Sequence, residues 1–299
     1  MGRGRDGGVT PQGKGTVGPL QGRGLTRRHF CRAVTGLAAL GCWHSTVVRR
    51  IHAAARSPAD RTPSATPLAA LHRPVLRVPA TTRNGAHVPI VVEMDHPMHP
   101  DHYVASVHLR NDSDPIPSKG IFHFTPANGR VYLAVQARMH SGTSTVQAVA
   151  VCTQHGRWVE QRAITIPEGA GGCATAAPAA AAAPSALHPP VLRIPALVAR
   201  RPIHQGDIIH VQVKIKHPSH TGLAFRDGTF VQVSPPFYLE EMRVFYGERL
   251  VSRYEMTPAI SDNPFITFAL RVTEAAPVRV VFTNNHGQQF EAVTSLGLS

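Results

Sequence analysis

Three scarcities frame this chain. Cysteine occurs four times in 299 residues, aromatic side chains make up 6 %, and 18 acidic residues face 31 lysines and arginines. Four thiols cannot knit a disulfide scaffold over such a length, so the fold has to rest on buried apolar surface, for which the chain is long enough twice over. Long apolar runs are lacking as well. The weakly apolar stretch from Ala33 to Trp43 falls short of the roughly 20 residues that cross a bilayer. No Ser/His/Asp order, no paired carboxylates and no phosphate loop stand out, so nothing specific points to an enzyme. The shortage of acid gives a net charge of +13 and a pI of 10.6, which would suit nucleic acid. Its distribution argues otherwise: residues 1–55 carry nine Lys/Arg against Asp6 alone, leaving 22 basic against 17 acidic residues elsewhere. The body of the chain is only mildly basic.

The basic leader has its own logic. Thr26-Arg27-Arg28-His29-Phe30-Cys31 precedes the apolar stretch, and Ala53-Ala54-Ala55 offers small residues for cleavage. This pattern resembles a twin-arginine export signal, implying a periplasmic protein that loses roughly its first 55 residues and is not inserted in the membrane. Cys31 and Cys42 would leave with it. Lipid attachment at Cys42 is disfavoured by Ala39 three residues earlier, and only Cys152 and Cys173 would enter the oxidising compartment.

Two Pro/Ala-rich stretches divide the rest. Residues 56–70 form a spacer and residues 174–190 a second tether, which in an extended form spans on the order of 50 Å. After each comes nearly the same decapeptide, LHRPVLRVPA at 71–80 and LHPPVLRIPA at 187–196, identical at eight of ten positions. The expected organisation is a domain at 71–173 and another at 191–299. Between these marks the hydrophobic period is two, most clearly in Ile208–Lys216, and Asn84-Gly85, Asn128-Gly129 and several prolines supply turns. The expected class is all-β: two immunoglobulin-like antiparallel sandwiches joined by the tether.

The segment with the least side chain carries the clearest chemistry. Gly169, Gly171 and Gly172 lead into Cys173, a setting that predicts a thiol on a thin swinging arm, able to enter a narrow site elsewhere. A thiolate there would attack sulfur electrophiles. The surrounding motifs agree in order. Asn84-Gly85-Ala86-His87-Val88-Pro89, Tyr103 to Leu109, His123 to Gly129 and Gly171-Gly172-Cys173 resemble the SoxY family of bacterial sulfur-oxidation proteins. His217 to Gly222, Tyr246 to Leu250 and Thr257-Pro258-Ala259-Ile260-Ser261-Asp262-Asn263-Pro264-Phe265 resemble SoxZ. The resemblance implies a non-enzymatic carrier that holds thiosulfate or its oxidation intermediates on Cys173. It would pair its two domains intramolecularly and visit the SoxAX cytochrome, SoxB and SoxCD. One departure stands: family SoxY chains end shortly after the cysteine, whereas here Ala174-Thr175 runs on into the tether. A related alternative is a SoxYZ-like carrier serving a quinoprotein dehydrogenase system.

His96-Pro97-Met98-His99-Pro100-Asp101-His102 raises a metal, as in the His- and Cys-ligated centre of superoxide-reductase domains. The prolines predict an extended loop that does not converge its rings, so neither a metal nor another cofactor is expected. Cys152, ending an apolar run, is expected to be a small buried hydrophobe, with a disulfide to Cys173 the alternative.

Overall fold

The computed structural model describes residues 67–175 and 187–299. The leader with Arg27, Arg28, Cys31 and Cys42, most of the 56–70 spacer and the middle of the 174–190 tether lie outside the described residues. These described residues make one compact unit.

A short helix α1 (Pro67–His72) enters the first half, followed by β1 (Val75–Arg77), β2 (Val88–Met94), β3 (Val104–Asn111), β4 (Ser118–Phe124), β5 (Val131–Ala137), β6 (Gly142–Cys152) and β7 (Gly156–Ile166). The second half opens with β8 (His188–Arg193), which begins inside the stretch that composition assigns to the tether, and one turn of helix, α2 (Pro195–Val198). It continues through β9 (Ile208–Lys216), the small hairpin β10 (Leu223–Arg226) and β11 (Thr229–Gln232), β12 (Leu239–Tyr246), β13 (Arg249–Met256), β14 (Phe265–Arg271), β15 (Pro277–Asn284) and β16 (Gln289–Ser295). The period-two pattern has its expected cause. In β9, Ile209, Val211, Val213 and Ile215 are buried while His210 and Lys214 face outward.

All named strand pairs are antiparallel, in agreement with the sandwich class. The sheets, however, ignore the boundary between the halves. A six-stranded sheet runs β1-β2-β5-β14-β9-β8 and an eight-stranded sheet runs β16-β15-β12-β13-β4-β3-β6-β7. The two copies of the decapeptide thus contribute β1 and β8, the opposite edges of one sheet. At the seam Leu133 and Ala134 pair with Phe268 and Thr267, and Gly120 to Phe124 pair with Met256 to Ser252. Buried side chains of both sheets form one apolar core, in which Tyr254 meets Phe122 edge to face across the seam and Phe268 edge to face between the two sheets. Asn128, buried in the turn before β5, fastens the same line by donating to Ser252 Oγ and the Ala269 carbonyl.

Candidate functional site

The glycine arm lies in a groove at that seam. Gly85 N–H donates to the Ala170 carbonyl, Met139 N–H to the Gly85 carbonyl and Gly172 N–H to the Met139 carbonyl, each at 2.8 Å. These bonds pull three backbones together. A Cβ on Gly172 would run into the backbone of Gly85 and Ala86, and one on Gly85 would lie 2.5 Å from the Ala170 carbonyl oxygen. Glycine is therefore required at these two positions by close approach. The sequence suggested a freely swinging arm, and in the structure Gly171 and Gly172 are instead part of a docked segment. Gly169 supplies the positive-φ turn that enters it.

Docking continues past the thiol. Thr221 Oγ1 donates to the Cys173 carbonyl at 2.7 Å, and Gly222 N–H donates to the Thr175 carbonyl. Arg138 reaches the Gly172 carbonyl, the Ser219 carbonyl and the Asp262 carboxylate with its guanidinium. Ser261 Oγ donates to the Ala86 carbonyl, and Arg138 N–H to that of Ala259. The Thr257–Phe265 and His217–Gly222 motifs of the second half thus form one wall of a groove whose other wall is the Asn84–Val88 turn. Near the arm, the β10–β11 hairpin packs Phe225 and Phe230 on the His140 ring.

The expectation of an exposed thiol is overturned. Cys173 is only 3 % exposed, because the docked arm turns Sγ inward. It lies 3.8 Å from Asp114 Oδ1. Asp114 is itself buried, pairs with Lys119 Nζ at 2.7 Å and accepts the His140 N–H. Burial, then the Asp114 charge, push the Cys173 thiol up to about 12, with Lys119 and Arg138 pulling weakly the other way. The docked thiol is therefore protonated and unreactive at neutral pH. Sequence reasoning missed Asp114, Lys119 and Arg138. Cys152 is buried as expected, and it and Cys173 are both free thiols, so no disulfide joins them.

The loop from His96 to His102 departs further from expectation. Reciprocal backbone bonds between His99 and His102 close it into a tight turn, and the His96 and His102 rings come within 4.6 Å of each other, centroid to centroid. His99 stays exposed.

Residues 65–173 match the family of the sulfur oxidation protein SoxY, and residues 199–295 that of the sulphur oxidation protein SoxZ. No curated protein matches the chain in sequence. Solved structures with similar parts include a superoxide reductase (neelaredoxin) variant from Ignicoccus hospitalis, 20 % identical over 33 % of this chain and 82 % of that one, TM-score 0.29. The superoxide reductase from Nanoarchaeum equitans is 18 % identical over 32 % and 94 %, TM-score 0.26. Fibronectin(III)-like modules of Clostridium thermocellum CbhA are 8 % identical over 75 % and 94 %, TM-score 0.22.

Proposed function

Because the chain joins a SoxY domain to a SoxZ domain in one polypeptide, we propose that it is a covalent sulfur carrier of the sulfur-oxidation system, with Cys173 as the attachment point. The observation that carries this reading is the docked arm: a free thiol at the end of a glycine segment, seated in a groove to which both halves contribute. In the docked state the thiol is protected. Release of the arm returns it to water, where an ordinary cysteine titrates near 8.5 and a useful thiolate fraction exists at neutral pH. Undocking and activation are then the same event.

Loading can be written two ways. With polysulfide, the thiolate attacks a terminal sulfur. A Cys173 S–S bond forms as the donor's S–S bond breaks, and a polysulfide one sulfur shorter leaves with the bonding pair. With thiosulfate, Cys173 thiolate and thiosulfate couple to a cysteinyl thiosulfonate and two electrons must leave, which assigns that step to an electron-accepting partner such as the SoxAX cytochrome. SoxB and SoxCD would act on the loaded arm. Since Thr175 is anchored to Thr221 and the chain continues, the arm would be presented as a loop.

Intact-mass measurement after exposure to polysulfide tests this. Addition of whole sulfur atoms, removed by dithiothreitol, is expected in the wild type and in Cys152→Ser but not in Cys173→Ser. An adduct that persists without Cys173 sinks the assignment. The proposed compartment is the periplasm, reached by the twin-arginine route, and replacing Arg27 and Arg28 by lysine should hold the precursor in the cytoplasm.

A further inference from the structure

At the end of the β3–β6 ladder remote from Cys173, four chain segments deliver five metal-binding side chains to one place. His72 ends α1, His96 and His102 come from the loop before β3, Cys152 ends β6, and His155 sits in the β6–β7 turn. We propose that His72, His102, Cys152 and His155, with His96 beside them, bind one divalent transition-metal ion of the Fe(II) to Zn(II) range.

Geometry comes first. One ligand atom from each of His72, His102, Cys152 and His155 lies within 4.8 Å of all the others. Ligands held about 2.0–2.3 Å from a shared ion can be no more than about 4.6 Å apart, so adjustment by a few tenths of an ångström suffices. The ring nitrogens are closer still. His102 Nε2 stands 3.1 Å from His155 Nδ1 and 3.4 Å from His72 Nε2, and Cys152 Sγ is 3.8 Å from His155 Nδ1. The His96 ring packs edge-on to His72 and His102, at 4.6 Å from each.

Proton accounting gives the second, independent observation. His72 Nδ1 lies 2.7 Å from the Leu68 carbonyl and His96 Nδ1 2.6 Å from that of Pro97, so each ring donates its N–H outward and leaves Nε2 with a bare lone pair. That outward bond to a carbonyl is what orients an imidazole toward a metal. His96 is 3 % exposed, and its Nε2 has no hydrogen-bond partner among the described residues. Burying such an atom without a partner is unfavourable, and packing alone does not explain it. Nor can one proton on His102 Nε2 satisfy both neighbouring nitrogens.

The surroundings hold this arrangement in place. Trp158 stacks on His72 and donates from Nε1 to the His155 carbonyl, Tyr103 and Thr153 bond reciprocally, and Gln154 ties the turn to the Asp101 carbonyl. The donor set decides the metal. Imidazoles and a thiolate with no carboxylate reject magnesium and calcium and favour iron, cobalt or zinc, and five candidate donors exceed the four of a closed structural zinc site. β3 separates this cluster from Asp114 and Cys173 by its eight residues, about 25 Å at the usual strand rise. The metal site is therefore independent of the carrier arm.

Anaerobic titration of the reduced protein with Co(II), followed by metal analysis after loading with Fe(II) or Zn(II), tests the proposal. One ion per chain is expected, with a thiolate-to-cobalt charge-transfer band. Cys152→Ser should abolish the band, and His155→Ala, in an exposed turn that can lose its ring without unfolding the sheets, should weaken binding at least about tenfold. Cys173→Ser and His99→Ala should leave band and stoichiometry unchanged. Failure of the wild type to bind one ion per chain, a band that survives loss of Cys152, or a band that disappears with Cys173 would each overturn the site.

Discussion

The two described cysteines lie toward opposite ends of one pair of strands, and each is 3 % exposed. Their neighbours differ completely. Cys173 faces a buried ion pair, and the carboxylate beside it discourages its own ionisation. Cys152 faces imidazoles whose bare nitrogens invite a shared cation. Equal burial therefore says nothing about thiol chemistry here. One site holds its sulfur protonated beside a carboxylate, and the other, on the proposal above, fixes its sulfur so that an ion can be held without movement.

The contrast can be broken most severely at Asp114. Asp114→Ala leaves Lys119 charged in the interior with no carboxylate beside it, keeping only its bond to the Ile116 carbonyl, and should cost roughly 3–5 kcal/mol in urea unfolding. His155→Ala in metal-free protein, at the exposed end, should cost well under that. Gly172→Ala comes next: the added methyl meets the Ala86 backbone, so about 1–3 kcal/mol is expected to be lost from docking. Alkylation of Cys173 should then accelerate by tenfold or more, while that of Cys152 stays slow. Alkylation against pH sharpens the comparison. A pKa raised to about 12 means that docking is fully favoured below the ordinary cysteine value and weakens as pH rises toward 12. The Cys173 rate should therefore still climb between pH 9 and 11, where a free thiol has levelled off; a plateau near pH 9 would show the arm undocked. The smallest effect is expected for Thr221→Val, which removes the hydroxyl bound to the Cys173 carbonyl, about 1 kcal/mol or roughly fivefold in labelling rate.

Strand period and turn residues made the β class readable, because one face of each strand had to be buried: Ile209 to Ile215 show it without any structure. The groove was not readable, for a related reason. Lys119 and Arg138 stand at strand ends, out of phase with the inward residues Gly120, Phe122, Val135 and Ala137, so alternation turns them toward water. They are buried because the loops carrying Asp114 and Ser219 cover them, and such coverage leaves no local trace. Gly171-Gly172 was legible as a signal but not in its sense, since thin backbone serves close docking as well as freedom. The histidine cluster was half visible. His96 and His102 drew notice, but Cys152 and His155, three residues apart, and His72, some 80 residues away, become neighbours only when β6 pairs with β3.

The pairing of β4 with β13 and of β5 with β14 sets a schedule for synthesis. When Cys173 has been joined, β4 and β5 each still have a bare edge, and their partners are not complete until Arg271. At about 5–20 residues per second, the first half waits roughly 5–20 s with two edges open to any other strand. Joining the halves in one chain makes that wait short and independent of concentration, since the correct partner always arrives on the same ribosome.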